Sequence, residues 1–102
     1  MEKGNKFDKG KPRVELLDPE FLLAMGEVLG HGAEKYAADN WRGGISARRL
    51  IGAAIRHLLA VSRGEDIDSD SGFGHTAHLG CEVMFLHWML KYKPELDDRF
   101  KY

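Results

Sequence analysis

Cysteine is almost missing from this sequence. Its 102 residues include only Cys81, so no internal disulfide can form, and a reducing compartment is the expected setting. The neighbours of Cys81 are apolar, which suits a small buried hydrophobe. An excess of either charge is also lacking. With 15 basic and 16 acidic residues the net charge is -1, so no overall field attracts a nucleic acid polymer or an anionic membrane. No apolar run approaches the roughly 20 residues of a membrane span. The opening MEKGNKFDKGKPR is polar, without the apolar core of a secretory signal, so a cytoplasmic protein is expected. Period-two alternation, internal repeats and low-complexity tracts are absent as well. Strands are therefore not expected, and the length fits one domain. A chain this small is often helped by self-association.

What is present is helical. Residues 1–17 mix Gly, Lys and Pro without periodicity and read as an extended basic arm. Asp18-Pro19-Glu20 then combines a capping acceptor, a proline suited to the first helical position and an acid for the first turn. Apolar residues recur at helical spacing from there to about Ala37. A second helix is expected after a Ser46 cap, with Leu50, Ile51, Ala54, Ile55, Leu58 and Leu59 as its core stripe and Gly64 as its stop. Arg49, Arg56 and Arg63 sit seven apart on the other side. A third helix should run from about Gly74 to Tyr92 and is apolar on most sides, Glu82 being its only formal charge before Lys91. Three helices cannot enclose such a segment, so a helical domain spanning 18–92 and completed by oligomerisation is expected. The tail 93–102 is polar and reads either as a short added helix or as disordered.

The chemistry concentrates in RGEDIDSDSGFGHTAHLGCE, residues 63–82, with five carboxylates and two histidines. Glu65 and Asp68 form a Glu-x-x-Asp pair of the kind that hard divalent cations favour. His75, His78 and Glu82 follow at offsets of three and seven, on one helix face. A metal site is one reading. The other is a solvated acidic loop, with His75 capping the helix and Glu82 paired to an arginine, since a buried lone charge is very costly. His57 lies between Ala53 and Ala60, whose small side chains leave room beside its imidazole. His31 is expected to be exposed and His87 structural. In GAEKYAADNW, Lys35, Tyr36, Asn40 and Trp41 offer a cation, two aromatic plates and an amide, an inventory that suits a nucleotide. Equally, Trp41 could anchor the loop to the core. Lys11 and Arg13 in the arm would suit anionic oxygens.

Four blocks in order, KFDKGKPRVELLDP, GAEKYAADNW, RHLLAVSRGEDIDSDSG and HTAHLGCEVMFL, resemble the phage and bacterial dATP/dGTP diphosphohydrolase N-terminal domain family, linked to the MazG-like enzymes. The resemblance covers roughly residues 6–90. It implies an all-α, oligomeric, Mg²⁺-dependent (or Mn²⁺-dependent) enzyme that cleaves a deoxynucleoside triphosphate to monophosphate and pyrophosphate. On that reading Glu65, Asp68, His75, His78 and Glu34 hold the metal, and His57 and Glu65 are catalytic. Lys11, Arg13, Lys35, Tyr36, Asn40, Trp41 and Arg56 bind substrate. The chain departs from the pattern in three ways. Asp70 replaces a glutamate, Glu82 replaces an amide, and no clean Glu-x-x-Glu accompanies Glu65-x-x-Asp68, Glu34 being the nearest substitute. The alternatives are a non-catalytic helical binding module and a histidine/aspartate metal phosphohydrolase.

Overall fold

Asp18 starts the first helix as its residue type suggests: the Phe21 N–H donates to Asp18 Oδ2 at 2.9 Å, with Pro19 next in line. This was seen in a computed structural model that describes residues 2–101; the first residue of the arm and the last of the tail lie outside the described residues. The helices are α1 (Pro19–Lys35), α2 (Ala47–Ser62) and α3 (His75–Tyr92), with 3₁₀ turns at Val14–Leu16, Asn40–Gly43 and Pro94–Leu96. Among the described residues no strand forms, only an isolated bridge between Ile67 and Gly74. The fold is all-α. No helix among these residues is long and apolar enough to cross a membrane.

α3 is the common element, packed most extensively against α2 and also against α1. Gly80 permits the approach of α1, since a Cβ there would meet Phe21 and Met25. α2 ends in a Schellman motif: Gly64 has φ +88°, its N–H donates to Val61 O, and the Glu65 N–H reaches Ala60 O. That geometry turns the acidic loop sharply back toward α3.

Two expectations change. Ser46 makes no side-chain cap; instead the Arg48 N–H at the start of α2 donates to Asp98 Oδ1 at 2.8 Å. A carboxylate suits the positive end of a helix, and here it comes from the tail. The tail is thus fastened twice, since Leu96 also packs on the core formed by Ala47, Leu50 and Met89. The stripe expected to bury α2 is also rotated. Leu50 and Ala60 are buried, whereas Ile55, Leu58 and Leu59 stay 50–55% exposed. The side of α2 turned to α3 carries His57, so polar rings occupy space that apolar side chains were expected to fill.

Candidate functional site: a histidine and carboxylate cluster beside a cavity

The room beside His57, flanked by Ala53 and Ala60, is filled from α3. His75 and His78 on its first turn bring their rings to 5.1 and 4.8 Å from that of His57, the latter nearly parallel at 5°. The loop between α2 and α3 supplies the carboxylates and is a closed structure. Asp68 N–H donates to Phe73 O, Gly72 N–H to Asp68 O, and His75 N–H to Asp66 O. Asp68 Oδ1 also accepts from the Asp70 N–H at 2.9 Å, an Asx-type turn that fixes this carboxylate. Gly72 adopts φ +80°, which glycine alone takes without strain.

This loop sorts the dense acids. Asp66 and Asp70 face solvent, while Asp68 is half-buried with Oδ2 3.7 Å from His78 Nε2. Glu65 takes another route: its Oε2 lies 2.8 Å from His75 Nε2, and His75 Nδ1 lies 2.9 Å from His57 Nδ1. Donor atoms of His57, Asp68 and His78 all fall within 4.8 Å of one another. Glu65 and His75 join this group through His57 and not as members of it. The Ser71 hydroxyl, which accepts from the Phe73 N–H, bonds His78 Nε2 at 2.7 Å.

The environment favours the neutral form of His57 and His78. Burial pushes the pKa of His57 down from 6.5, and the neighbouring His78 and His75 push it further. His78 is likewise lowered, first by burial, with Asp68 opposing. Neutral imidazoles retain a lone pair, the form a metal requires. The donor set fits a divalent cation chemically: two such rings and one carboxylate. Parallel ring planes do not meet, however, so both histidines can aim at one ion only after one ring rotates.

The cluster opens on a cavity of about 1160 Å³ lined by Asp68, Asp70, Ser71 and His78 on one side and Lys35, Tyr36, Asn40 and Trp41 on another. The two sequence blocks therefore meet. Tyr36 is 63% exposed, with Lys35 Nζ 5.2 Å from its ring centre. Trp41 serves as the anchor foreseen as one of its two readings: it stacks on Phe85 at 4.9 Å, meets Trp88 edge-on, and carries the Arg42 guanidinium at 4.2 Å. Arg56 lines a second, adjoining cleft. Three expected residues lie elsewhere. Glu34 is exposed and lines neither space; Lys11 sits in a turn of the arm; Arg13 pairs with Glu15 at 2.9 Å. The apolar side chains of that arm, Phe7, Val14, Leu16 and Leu17, stay 54–88% exposed and do not anchor those two cations at the cavity.

Three cavity residues were not foreseen: His31, edge-on to Phe73 at 5.5 Å, Arg42 and Arg49. The spacing of Arg49 and Arg56 was visible in the sequence; the placement of His31 and Arg42 was not.

Residues 1–99 match the family described as dATP/dGTP diphosphohydrolase, N-terminal. The chain belongs to that family. A dATP/dGTP diphosphohydrolase of Salmonella phage PMBT28 is 40% identical over 96 residues, covering 94% of this chain and 33% of the relative. The chain thus spans about a third of the curated relative it matches. No solved structure matches.

Proposed function

We propose that this family member binds Mg²⁺ or Mn²⁺ and hydrolyses a deoxynucleoside triphosphate to the monophosphate and pyrophosphate, as a homodimer or higher homo-oligomer. The observation that supports this most is the convergence of His57, Asp68 and His78, the last two of which line a cavity large enough for a nucleotide. The name of the phage relative supports dATP or dGTP as the substrate.

His57, Asp68 and His78 are the ion's ligands in this reading. Mixed nitrogen and oxygen donors favour Mn²⁺ over Mg²⁺ within that pair. An ion held by these three residues would supply Lewis acidity toward the α-phosphate and lower the pKa of a water molecule. Glu65 and His75 act one step behind. The Glu65 carboxylate accepts from His75 Nε2–H, His75 Nδ1 then accepts from His57 Nδ1–H, and Nε2 of His57 keeps its lone pair for the ion. This assigns Glu65 and His75 to orienting His57, where direct ligation was expected. Asp70, an exposed carboxylate on the cavity wall, accepts the proton of the attacking water. Water adds to the α-phosphorus as the bond to the bridging oxygen breaks, and pyrophosphate departs. Lys35 offsets phosphate charge, and the purine rests against Tyr36, whose ring Trp41 does not cover.

Purified chain incubated with dGTP or dATP and Mn²⁺ should yield monophosphate and pyrophosphate by chromatography. Asp68→Ala should abolish turnover and weaken Mn²⁺ binding by roughly 100-fold, as for a lost ligand, while Glu65→Gln weakens it about 10- to 100-fold. No turnover of any nucleotide with any divalent metal would defeat the enzyme reading and leave an accessory module.

A further inference from the structure

Along α2, Arg49, Gly52, Ala53 and Arg56 occupy positions 0, 3, 4 and 7 of one helical stripe. Two residues almost without side chains therefore lie between two guanidinium arms. Arg56 folds back into this gap, its Nη1 being 3.3 Å from where a Cβ on Gly52 would stand. The result is a cleft of about 580 Å³ lined by Arg48, Arg49 and Arg56 from one helix and Glu82 from α3. None of these arginine side chains forms an ion pair or hydrogen bond among the described residues. Three cationic arms on a floor of small residues, with a single carboxyl opposite, form a concentrated positive site.

Tyr36, Ile45, Arg49 and Glu82 line both this cleft and the larger cavity, so the two spaces are continuous. Asp68 and His78 stand in the larger one. From this arrangement we infer that the Arg49–Arg56 cleft is the seat of a condensed phosphate: the β,γ-diphosphate end of a nucleotide, held there and released as pyrophosphate. The inference rests on the hydrolase reading for its biological use, although not for the binding itself. Guanidinium forks match phosphate oxygens two at a time, and two forks across a narrow floor suit two linked phosphates better than one. Burial works against the charged form of Glu82, with Arg56 acting the other way, which lessens the repulsion this carboxyl exerts on an anion. A cation that neutralises only the α-phosphate would leave the rest of the triphosphate uncompensated. The cleft, continuous with the cavity that Asp68 and His78 line, meets that need.

The test is calorimetric titration of the full-length chain with inorganic pyrophosphate in metal-free buffer, with orthophosphate as the comparison. Pyrophosphate should bind more tightly than orthophosphate. Arg49→Gln and Arg56→Gln should each weaken it by roughly tenfold or more, and Arg56→Lys, which keeps the charge but loses the fork, should fall between. Arg63→Gln, at the end of the same helix and lining neither space, should leave that binding unchanged. Absence of pyrophosphate binding, equal affinity for the two anions, or an Arg49→Gln/Arg56→Gln protein that binds as the unaltered chain does would overturn the inference. The two readings fail separately. Pyrophosphate binding without any nucleotide turnover removes the hydrolase and keeps the cleft. Turnover with an unchanged KM in the doubly substituted protein removes the cleft and keeps the hydrolase.

Discussion

Water is withheld from His57 and His78 by burial, so each imidazole takes a proton less readily folded than unfolded. Below pH 6.5 the unfolded chain binds protons that the folded one refuses, and stability falls as the pH drops toward the lowered values. Glu82 acts in the opposite sense. Burial raises its pKa above 4.5, so as the pH climbs beyond 4.5 the unfolded carboxyl ionises first and stability is lost through the folded-state value. Melting curves at a series of pH values should separate the two. Glu82→Gln should melt higher than the unaltered chain above its raised pKa, and His57→Gln should flatten the loss below 6.5. A flat profile below 6.5 in the unaltered chain would show that the rings are not shielded as described. At this scale the sequence was informative about chemistry: His57, Asp68 and His78 were all candidates from residue type and spacing. It could not say that Glu65 and His75 stand behind His57, because a chain of hydrogen bonds has no periodicity.

Between the 3₁₀ turn Asn40–Gly43 and α2, the chain passes through Gly44 at φ +107°, and a Cβ there would lie 2.5 Å from Leu96 Cδ1. Two penalties coincide at this residue: backbone strain for any L side chain and collision with the tail that caps α2. Gly44→Ala should cost about 1–3 kcal/mol, read as a lower urea midpoint with unchanged m. A shift within error would mean that neither the backbone strain nor the collision with Leu96 operates at this position. Helix positions were well marked by local signals: Asp18, Pro19 and Gly64 sit where capping chemistry places them. The true cap of α2 was hidden because Asp98 lies 50 residues from Arg48. A local pattern carries no information about so distant a partner.

Taken as a whole molecule, the monomer is poorly enclosed. Its radius of gyration is 16.8 Å, against roughly 13 Å for a compact chain of about 100 residues. Leu22 and Leu23 on α1, and Ile55, Leu58 and Leu59 on α2, are 48–70% exposed. These side chains offer apolar surface that a second copy could bury. The oligomer proposed above would cover it, and light scattering after size exclusion should return a mass of at least two copies. Leu58→Glu should shift that mass toward one copy and lower the melting temperature. A single-copy mass for the unaltered chain at micromolar concentration would end the idea of a stable assembly.

The all-helical class, the approximate helix bounds and the residue types available for metal and phosphate chemistry follow from the sequence alone. Each depends on contacts within a turn or two, and periodicity and capping report those contacts directly. Only the tertiary structure decided which face of α2 meets α3, and with it nearly everything about the site. That rotation buries His57 against His75 and His78, leaves Ile55 and Leu58 outside, and opens the Arg49–Arg56 cleft beside Glu82. Both the apolar stripe of α2 and the side that carries His57 could have been turned inward. The choice between them rests on what the facing helix and the closed acidic loop present.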